Sequence, residues 1–311
     1  TSLSCWPEKP AHSRWPASKA QPMATRARKS ESHPSRTVTS WAELMDLLFS
    51  DSWQEEIQRF RSPFVFRGIS HRDFDLQSGI LRLAGTSEEA RRLEPHLLRS
   101  FRKYAQADAV AGMSIWRWLA LAQHHGLPTR LLDWTWSPLV ALHFVTENGA
   151  RFREDGMVIS VDTLGARQYL PGKLKRIIEE EATGVFSIEM LDRVSNTLPD
   201  FDQLHKQTFV AFLDPPALDA RIVNQFAVFS IMNDAGARLD QWLAGHPELC
   251  RRIIIPAELK WEIRDKLDQA NVAERMLFPG LDGLCRWLTR YYTPKQRVSR
   301  ESEIRKYKLA S

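Results

Sequence analysis

Cysteine is scarce in this chain, which has only Cys5, Cys250 and Cys285 among its 311 residues. An odd and scattered set forms neither the dense framework of a disulfide-stapled secreted domain nor the close spacing of a zinc site. No basic segment followed by an apolar one opens the sequence, as a secretory signal would. These absences predict a reducing compartment, and we expect the protein to be cytoplasmic.

Long apolar runs are missing too. No stretch of about 18 uncharged apolar residues occurs, so the sequence predicts no transmembrane helix and no membrane partner. Hydrophobic residues still make up 43% of the chain and charged residues 26%, and 11 Trp with 15 Phe are available to fill a core. These values exclude a wholly disordered, collagen-like or coiled-coil protein and favour a globular one.

The net charge of +5 is concentrated in the first 40 residues, where seven Lys or Arg stand against two Glu. This segment is rich in Pro, Ser and Ala and lacks apolar periodicity, which predicts a disordered basic tail over 1–39. Its run Arg26-Ala27-Arg28-Lys29 could contact nucleic-acid phosphates with strong salt dependence, although a solvated tail is the simpler interpretation. Met23 offers an alternative native start, which would leave residues 1–22 outside the native protein.

The first folded elements are predicted to be mostly helical. Ser40 and Glu43 form a capping-box pattern, and apolar residues at helical spacing predict a helix from there to Pro63. A strand should follow over Phe64–Gly68. The remaining helices of this half are predicted at about 90–104, at 114–124, and from Pro138 to Asn148-Gly149 behind the favoured N-cap Ser137.

The second half of the chain changes to β patterns. Short β-branched or aromatic runs predict strands at Met157–Val161, Thr208–Leu213, Phe226–Met232 and Arg252–Ile255. Helices over 257–269 and 281–292 close a single domain spanning 40–293, and a charged tail follows over 294–311. Helices first and strands after, without strict βαβ alternation, favour an α+β fold in which helices pack on a mixed, mainly antiparallel sheet.

Several familiar catalytic signatures are absent. The chain has no Gly-rich phosphate loop followed by Lys, no helical His-Glu-x-x-His, and no strand-turn-helix nucleophile elbow. These absences disfavour a nucleotide hydrolase of the P-loop type, a zinc protease and an α/β-hydrolase.

The densest polar segment runs from Gln123 to Pro138 and holds two His, an Arg, an Asp and several hydroxyl or amide side chains. It joins the end of one predicted helix to the start of another, and such connections often hold functional sites. Structural explanations stand beside the functional one, because Arg130 and Asp133 could pair across a turn and Ser137 could simply cap its helix. The two adjacent histidines have no third ligand at suitable spacing, so no metal site is predicted.

Four segments together resemble the FRG-domain family, named for its Phe-Arg-Gly motif: Phe66-Arg67-Gly68, the block from Ala122 to Phe144, Gln225–Phe229, and Leu277–Gly283. The resemblance covers about residues 40–290. It implies no settled activity, so function has to be argued from the site. The chain departs from the family at Ala227, where the pattern Gln-x-Gly-x-Phe has Gly.

A more distant resemblance is to the ADP-ribosyltransferase superfamily, and it implies an ADP-ribosyltransferase-like fold with NAD as substrate. In those enzymes a strand-borne Arg, often followed by Gly, holds the cofactor phosphates, and a later Ser-Thr-Ser-like strand end leads into a helix. A guanidinium and a capped helix start both suit phosphate. The resemblance therefore implies six cofactor-binding residues: Arg67, Gly68, Thr129, Arg130, Thr135 and Ser137.

The catalytic carboxylate of those enzymes has no counterpart at its expected place. They carry a Glu two residues after a Glu or Gln on a later strand, whereas here Gln225 is followed by Ala227 at that spacing. Glu189, Glu274 or Asp133 could serve instead. With a histidine as a proton-transfer or orienting group, the implied catalytic set is His125, Asp133, Gln225 and Glu274.

Three hypotheses follow from these patterns. The first is an NAD-dependent ADP-ribosyltransferase or NAD glycohydrolase acting on an unknown acceptor. The second is a nucleotide- or nucleic-acid-binding module without turnover, and the third is an unrelated hydrolase that uses His125 and Asp133 as an acid–base pair. None of the patterns indicates an acceptor or an oligomeric state.

Overall fold

A computed structural model gives the structure of residues 35–105 and 112–295. Its strands, in chain order, are β1 (Arg36–Thr37), β2 (Trp53–Gln54), β3 (Arg59–Phe60), β4 (Phe64–Ile69), β5 (Leu132–Thr135), β6 (Gly156–Asp162), β7 (Val210–Leu213), β8 (Ala227–Met232) and β9 (Cys250–Ile255). Seven of them form one sheet in the order β1-β9-β6-β4-β5-β8-β7. Neighbouring strands are antiparallel except β1 and β9, which run parallel. The short strands β2 and β3 pair separately as a hairpin.

Helices cover both faces of this sheet. They are α1 (Trp41–Phe49), α2 (Gly79–Ala84), α3 (Ser87–Tyr104), α4 (Ile115–His124), α5 (Pro138–Thr146), α6 (Thr163–Ala166), α7 (Gly172–Glu180), α8 (Ile188–Asp192), α9 (Leu198–Asp202), α10 (Ala220–Asn224), α11 (Leu239–Ala244), α12 (Lys260–Gln269), α13 (Glu274–Leu277) and α14 (Leu281–Tyr291). Within the described ranges no helix is both long and apolar enough to cross a bilayer. The expected combination of helices with a mainly antiparallel sheet is confirmed.

The central strand β4 shows how the sheet divides the core. Side chains alternate between the two faces of a strand. Phe64 and Phe66 belong to the apolar cluster that contains Ala141 and Leu142 of α5. Val65 and Ile69 belong to a different cluster, built with residues of β5, β6 and α11. Arg67 therefore lies on the face of the sheet opposite α5.

Helix α5 lies unusually close to β4. A Cβ built on Gly68 would come within 1.8 Å of the carbonyl oxygen of Ala141 and 3.0 Å of the amide nitrogen of Val145. The absence of a side chain at this position lets the helix backbone rest directly on the strand. Gly68 thus has a packing role in the fold.

The predicted helix from Ser40 to Pro63 is wrong beyond its first half. Ser40 does cap α1 by accepting the amide of Glu43, but the helix ends at Phe49. The hairpin of β2 and β3 follows, and the rings of Trp53 and Phe60 meet across it at 5.0 Å. Ile57 and Phe60, whose spacing predicts a helix here, are 51% and 68% exposed, so this spacing does not mark a buried helix face.

The folded part begins earlier than Ser40. Arg36 and Thr37 add a parallel strand beside β9, Val38 is fully buried, and Arg36 forms an ion pair with Glu43 at 2.9 Å. The basic run at 26–29 and the residues 1–22 lie outside the described residues, as does most of the predicted C-terminal tail.

Lys260 is a buried cation at the start of α12. Its Nζ donates hydrogen bonds to the carbonyl oxygens of Ser70 at 2.8 Å and Arg151 at 2.9 Å, and the residue is fully buried. Burial lowers the pKa of Lys260 to about 8, against the opposing charges of Glu154 and Asp155. The ammonium group links α12 to two loops by hydrogen bonds. Its burial disfavours the charged form, which is the electrostatic cost of this arrangement.

This cost should appear as a pH dependence of stability. Between the folded pKa of about 8 and the ordinary value of 10.5, the unfolded chain keeps a proton at Lys260 that the folded chain has released. The free energy of unfolding should therefore rise across this window, by about 3 kcal/mol at most, and the gain should be absent below pH 8. Lys260→Met should remove the rise, whatever its effect on basal stability. Urea denaturation of both proteins across the window measures it, and identical pH slopes would contradict the assignment.

Candidate functional site

The candidate site lies where β4 and β5 meet. These two strands share a single Cα pair, Phe66 with Thr135. One residue further along β4, the Arg67 guanidinium donates a short hydrogen bond to the backbone carbonyl of Asp133 on β5. Strand β5 was predicted as a loop, and its four residues place the polar block beside Arg67.

Arg67 carries a positive charge that is only partly compensated. Burial lowers the pKa of its guanidinium, Asp133 opposes that shift, and the positive charge of Arg82 on α2 adds to it. Among the described residues no carboxylate lies within ion-pair distance of Arg67, and its one hydrogen bond goes to an uncharged carbonyl. A half-buried guanidinium in this condition is suited to receive an anion.

The Asp133 carboxylate is oriented by a chain of hydrogen bonds from α4. Gln123 Nε2 donates to both carboxylate oxygens, at 3.0 and 2.9 Å. Thr129 Oγ1 in turn donates to Gln123 Oε1 at 2.6 Å and accepts the amide of Leu131 at 3.0 Å. Thr129 is buried while Asp133 is exposed. The buried part of this hydrogen-bond chain fixes an accessible carboxylate on the face of β5 opposite the one from which Arg67 projects, since Phe66 pairs with Thr135.

Arg130 does not pair with Asp133, contrary to one of the structural explanations above. Its Nε donates to both carboxylate oxygens of Glu94 at 2.8 and 2.9 Å, and its Nη2 reaches Asp202 at 3.2 Å. Although burial opposes the charge, Glu94 and Asp202 hold the pKa of Arg130 above its ordinary value. Two carboxylates already form ion pairs with this guanidinium. Arg130 is therefore a structural residue of the core rather than a cofactor-binding one.

The predicted cofactor residues at the start of α5 are engaged within the fold. Thr135 Oγ1 donates to the carbonyl of Gln225 at 2.7 Å and accepts the amide of Ser137 at 3.0 Å. Ser137 caps α5 as predicted, accepting the amide of Val140 at 3.4 Å. The Gln225 side-chain amide donates to the carbonyl of Leu277 at 2.9 Å. These bonds join β5, the start of β8 and the segment before α14.

An anion site shared by Arg67 and the start of α5 does not form. Helix α5 rests on the face of β4 that Phe66 and Gly68 present, whereas the intervening Arg67 projects from the other face. Arg67 also reaches back along β5 to Asp133, away from Ser137. Strand alternation therefore separates these two phosphate-binding candidates.

The remaining predicted catalytic residues lie in different surroundings. Burial opposes ionisation of Glu274, but its oxygens accept hydrogen bonds from Arg290 at 2.5 and 2.8 Å, and the net effect is a lowered pKa. Glu189 is exposed and pairs with Arg117 at 3.0 Å. His125 is exposed at the end of α4, and its ring meets that of His124 at 5.1 Å. Of the predicted catalytic set, Asp133 is the residue that interacts with Arg67, through its backbone carbonyl and its charge.

Two further polar pairs, which involve one residue before β5 and one after it in the chain, are not predicted as a site. His124 Nε2 lies 2.8 Å from the Asp219 carboxylate. Trp136 Nε1 donates to Asp214 at 3.3 Å, and burial raises the pKa of this aspartate against that bond. Phe226 beside them is 61% exposed and has a φ of 47°, which is strained for an aromatic residue. Only the Asp-Pro-Pro turn at Asp214 hints at this group in the sequence.

Two cavities are lined by residues other than Arg67. One of about 560 Å³ is lined by residues between Pro171 and Leu204, and one of about 540 Å³ is lined by the 72–76 loop with Ile159 and Arg252. The second cavity is on the Arg67 face of the sheet, since Arg67, Ile159 and Arg252 are paired across three strands. In the described part of the chain, no three His, Cys, Asp or Glu side chains are grouped to hold a metal ion.

The region around Arg67 matches a known protein family. Residues 62–154 match the model of the FRG domain. This segment of the chain is similar to the FRG domain. This segment holds β4, the helices α2 to α5, β5 and thus the whole Arg67–Asp133 cluster, and the predicted resemblance is confirmed. Comparison with curated proteins and with solved structures found no match.

Proposed function

We propose that the FRG-like segment of this chain is a nucleotide-binding module that holds the phosphates of a dinucleotide of the NAD class at Arg67. The observation that carries the proposal is the half-buried Arg67 guanidinium, which donates to an uncharged carbonyl and has no ion-pair partner among the described residues. The charge of a second arginine, Arg82, also acts on Arg67, so the charges of two arginines against that of Asp133 leave a net positive site. Phosphate oxygens match the planar donor fork of arginine.

Binding without turnover is favoured over catalysis by the state of the other groups. Thr135, Ser137 and Gln225 use their hydroxyl or amide groups to hold the fold together, and Glu274 is neutralised by Arg290. A group that must act on a substrate would first have to leave these bonds, at a cost of about 1 kcal/mol or more for each.

ADP-ribosyl transfer or NAD hydrolysis is the second candidate, and the exposed Asp133 carboxylate favours it. Gln123 holds this carboxylate at an exposed position on β5, where it could stabilise positive charge developing on a ribose. The test is incubation of the purified protein with NAD, with and without added protein or nucleic acid, followed by chromatography for nicotinamide. Nicotinamide release that is abolished by Asp133→Asn would support this candidate. Tight binding of NAD without nicotinamide release would support the binding module.

Arg67→Lys should weaken the binding of NAD and of ADP-ribose at least tenfold, or about 1.4 kcal/mol. Lysine keeps the charge but offers a point donor in place of the planar fork. Isothermal titration calorimetry on both proteins measures the change. Arg176→Lys, at an exposed position on α7, is the matched control and should bind as the parent does. Equal affinities of the Arg67 variant and the parent, or no binding by the parent, would refute the proposed function.

A further inference from the structure

The cavity of about 540 Å³ lies over β1, β9 and β6, and the register of these strands sets its floor. Thr37, Ile254 and Met157 are paired across the three strands in one row. Two residues along, Arg252 of β9 is paired with Ile159 of β6 in the next row. Residues two apart on a strand project from the same face, so both rows line the same space. We call it the Arg252 cavity.

One side of the Arg252 cavity is apolar. Leu76 of the 72–76 loop is buried and packs in the same cluster as Met157 and Ile159, whereas the ring of Phe74 is 46% exposed. All four residues line the cavity. Sites for small molecules typically have volumes of about 300 to 1,000 Å³, apolar walls and a few polar groups that fix the ligand. The Arg252 cavity has this size and this kind of wall.

The carboxylates that line the Arg252 cavity are engaged by other arginines. Asp75 and Asp240 both accept hydrogen bonds from Arg238 Nη2, at 2.8 Å each. Asp73 is paired with Arg72 at 3.7 Å. Each of the three acidic side chains therefore has a cation of its own.

Arg252 is the cation of this cavity that lacks a partner. The residue is half-buried, and within the described ranges nothing accepts a hydrogen bond from its guanidinium or forms an ion pair with it. The other arginine of the lining, Arg72, donates to Asp155 at 3.1 Å. Arg251, which precedes Arg252 and projects from the opposite face of β9, donates to Asp51 at 2.5 Å. The unused N–H groups of Arg252 are therefore available to an anion inside the cavity.

We propose that the Arg252 cavity binds a small monocarboxylate with an apolar body. The carboxylate accepts paired hydrogen bonds from the Arg252 guanidinium, and the apolar body lies on the row of Ile254 and Met157. One unpaired guanidinium balances one negative charge. A phosphate monoester carries about two, and the acidic side chains of the lining repel the second. An uncharged apolar molecule would leave the half-buried guanidinium without an anion.

The test uses isothermal titration calorimetry of the full chain with four separate probes. Octanoate has both a carboxylate and an apolar body, 1-octanol has the body without the charge, acetate has the charge without the body, and octyl phosphate adds a second charge. Octanoate should bind more tightly than each of the others by about tenfold or more. Equal affinities of octanoate and octanol, tighter binding of octyl phosphate, or no binding of octanoate would overturn the proposal.

Matched substitutions on β9 locate the carboxylate. Arg252→Gln should weaken octanoate binding about tenfold or more, whereas Arg252→Lys, which keeps the charge, should retain most of the affinity. Arg251→Gln, one residue away on the opposite face, is the control and should bind octanoate as the parent does. Phe74→Ala tests the apolar wall at an exposed position and should weaken octanoate binding without unfolding the chain. Octanoate binding that survives Arg252→Gln unchanged, or that falls equally in Arg251→Gln, would contradict the assignment.

The Arg252 cavity is independent of the proposed nucleotide site, because Arg67 does not line it and donates instead to β5. Arg67→Lys should therefore leave octanoate binding unchanged, and octanoate binding by a chain that does not bind NAD would support this proposal while refuting the other. Displacement of octanoate by NAD would assign the cavity to the dinucleotide and overturn the proposal.

Discussion

Glu94→Ala should lower the free energy of unfolding by about 3 to 5 kcal/mol, because it leaves the guanidinium of Arg130 buried with too little negative charge around it. Both side chains are about 95% buried, and Glu94 supplies the bidentate partner. Asp202, the other partner, has about a third of its side chain in solvent and compensates less. Urea denaturation at neutral pH measures the loss.

Two controls separate the buried pair from ordinary surface electrostatics. Glu89→Ala, on the same helix α3, removes an exposed pair with Arg92 and should cost less than about 1 kcal/mol. The double variant Glu94→Leu with Arg130→Met removes both charges and should be more stable than Glu94→Ala alone. If Glu94→Ala cost no more than Glu89→Ala, the network would not have the structural role assigned to it.

Gly68→Ala should be comparably damaging, at about 3 kcal/mol, although it adds a single carbon atom. The new Cβ would meet the backbone of α5, at 1.8 Å from the Ala141 oxygen and 2.7 Å from its carbonyl carbon, and a backbone cannot rotate away as a side chain can. Either α5 or β4 must shift, and the clusters on both faces of β4 shift with it. Thermal or urea unfolding detects the change.

Gly172→Ala is the matched control for this substitution. Nothing lies within 4 Å of a Cβ built on Gly172, which opens α7, so the alanine should leave stability unchanged or raise it by about 0.4 to 1 kcal/mol. The pair also separates two roles for Gly68. A normal stability with weakened NAD binding would show that Gly68 admits a ligand rather than a helix, and would contradict the packing role.

Locally encoded elements were the ones that the sequence predicted well. The start of α5 was found because Ser137 and Pro138 determine a helix N-terminus by their own chemistry. Strand β4 was found from its β-rich composition and its terminal glycine. Strand β5 was missed because four residues, one of them Asp133, show no clear alternation.

The candidate site could be predicted only as a list of residues, because its arrangement depends on distant partners. Arg130 was placed near its neighbour Asp133, but the carboxylates that bind it are 36 and 72 residues away. Arg67 was expected to meet the start of α5, but which face of β4 that helix covers is decided by tertiary packing. No local pattern contains this information.

The outer limits of the FRG match do not coincide with those of a unit that folds alone. Of the large sheet, residues 62–154 contain only β4 and β5, which share one pair, while β4 borders β6 and β5 borders β8. Excising the matched segment would leave both strands with an unpaired edge and one apolar face uncovered, which is the condition that leads to aggregation. Truncations intended to isolate this domain should therefore retain the chain through β9, so that both strands keep their neighbours.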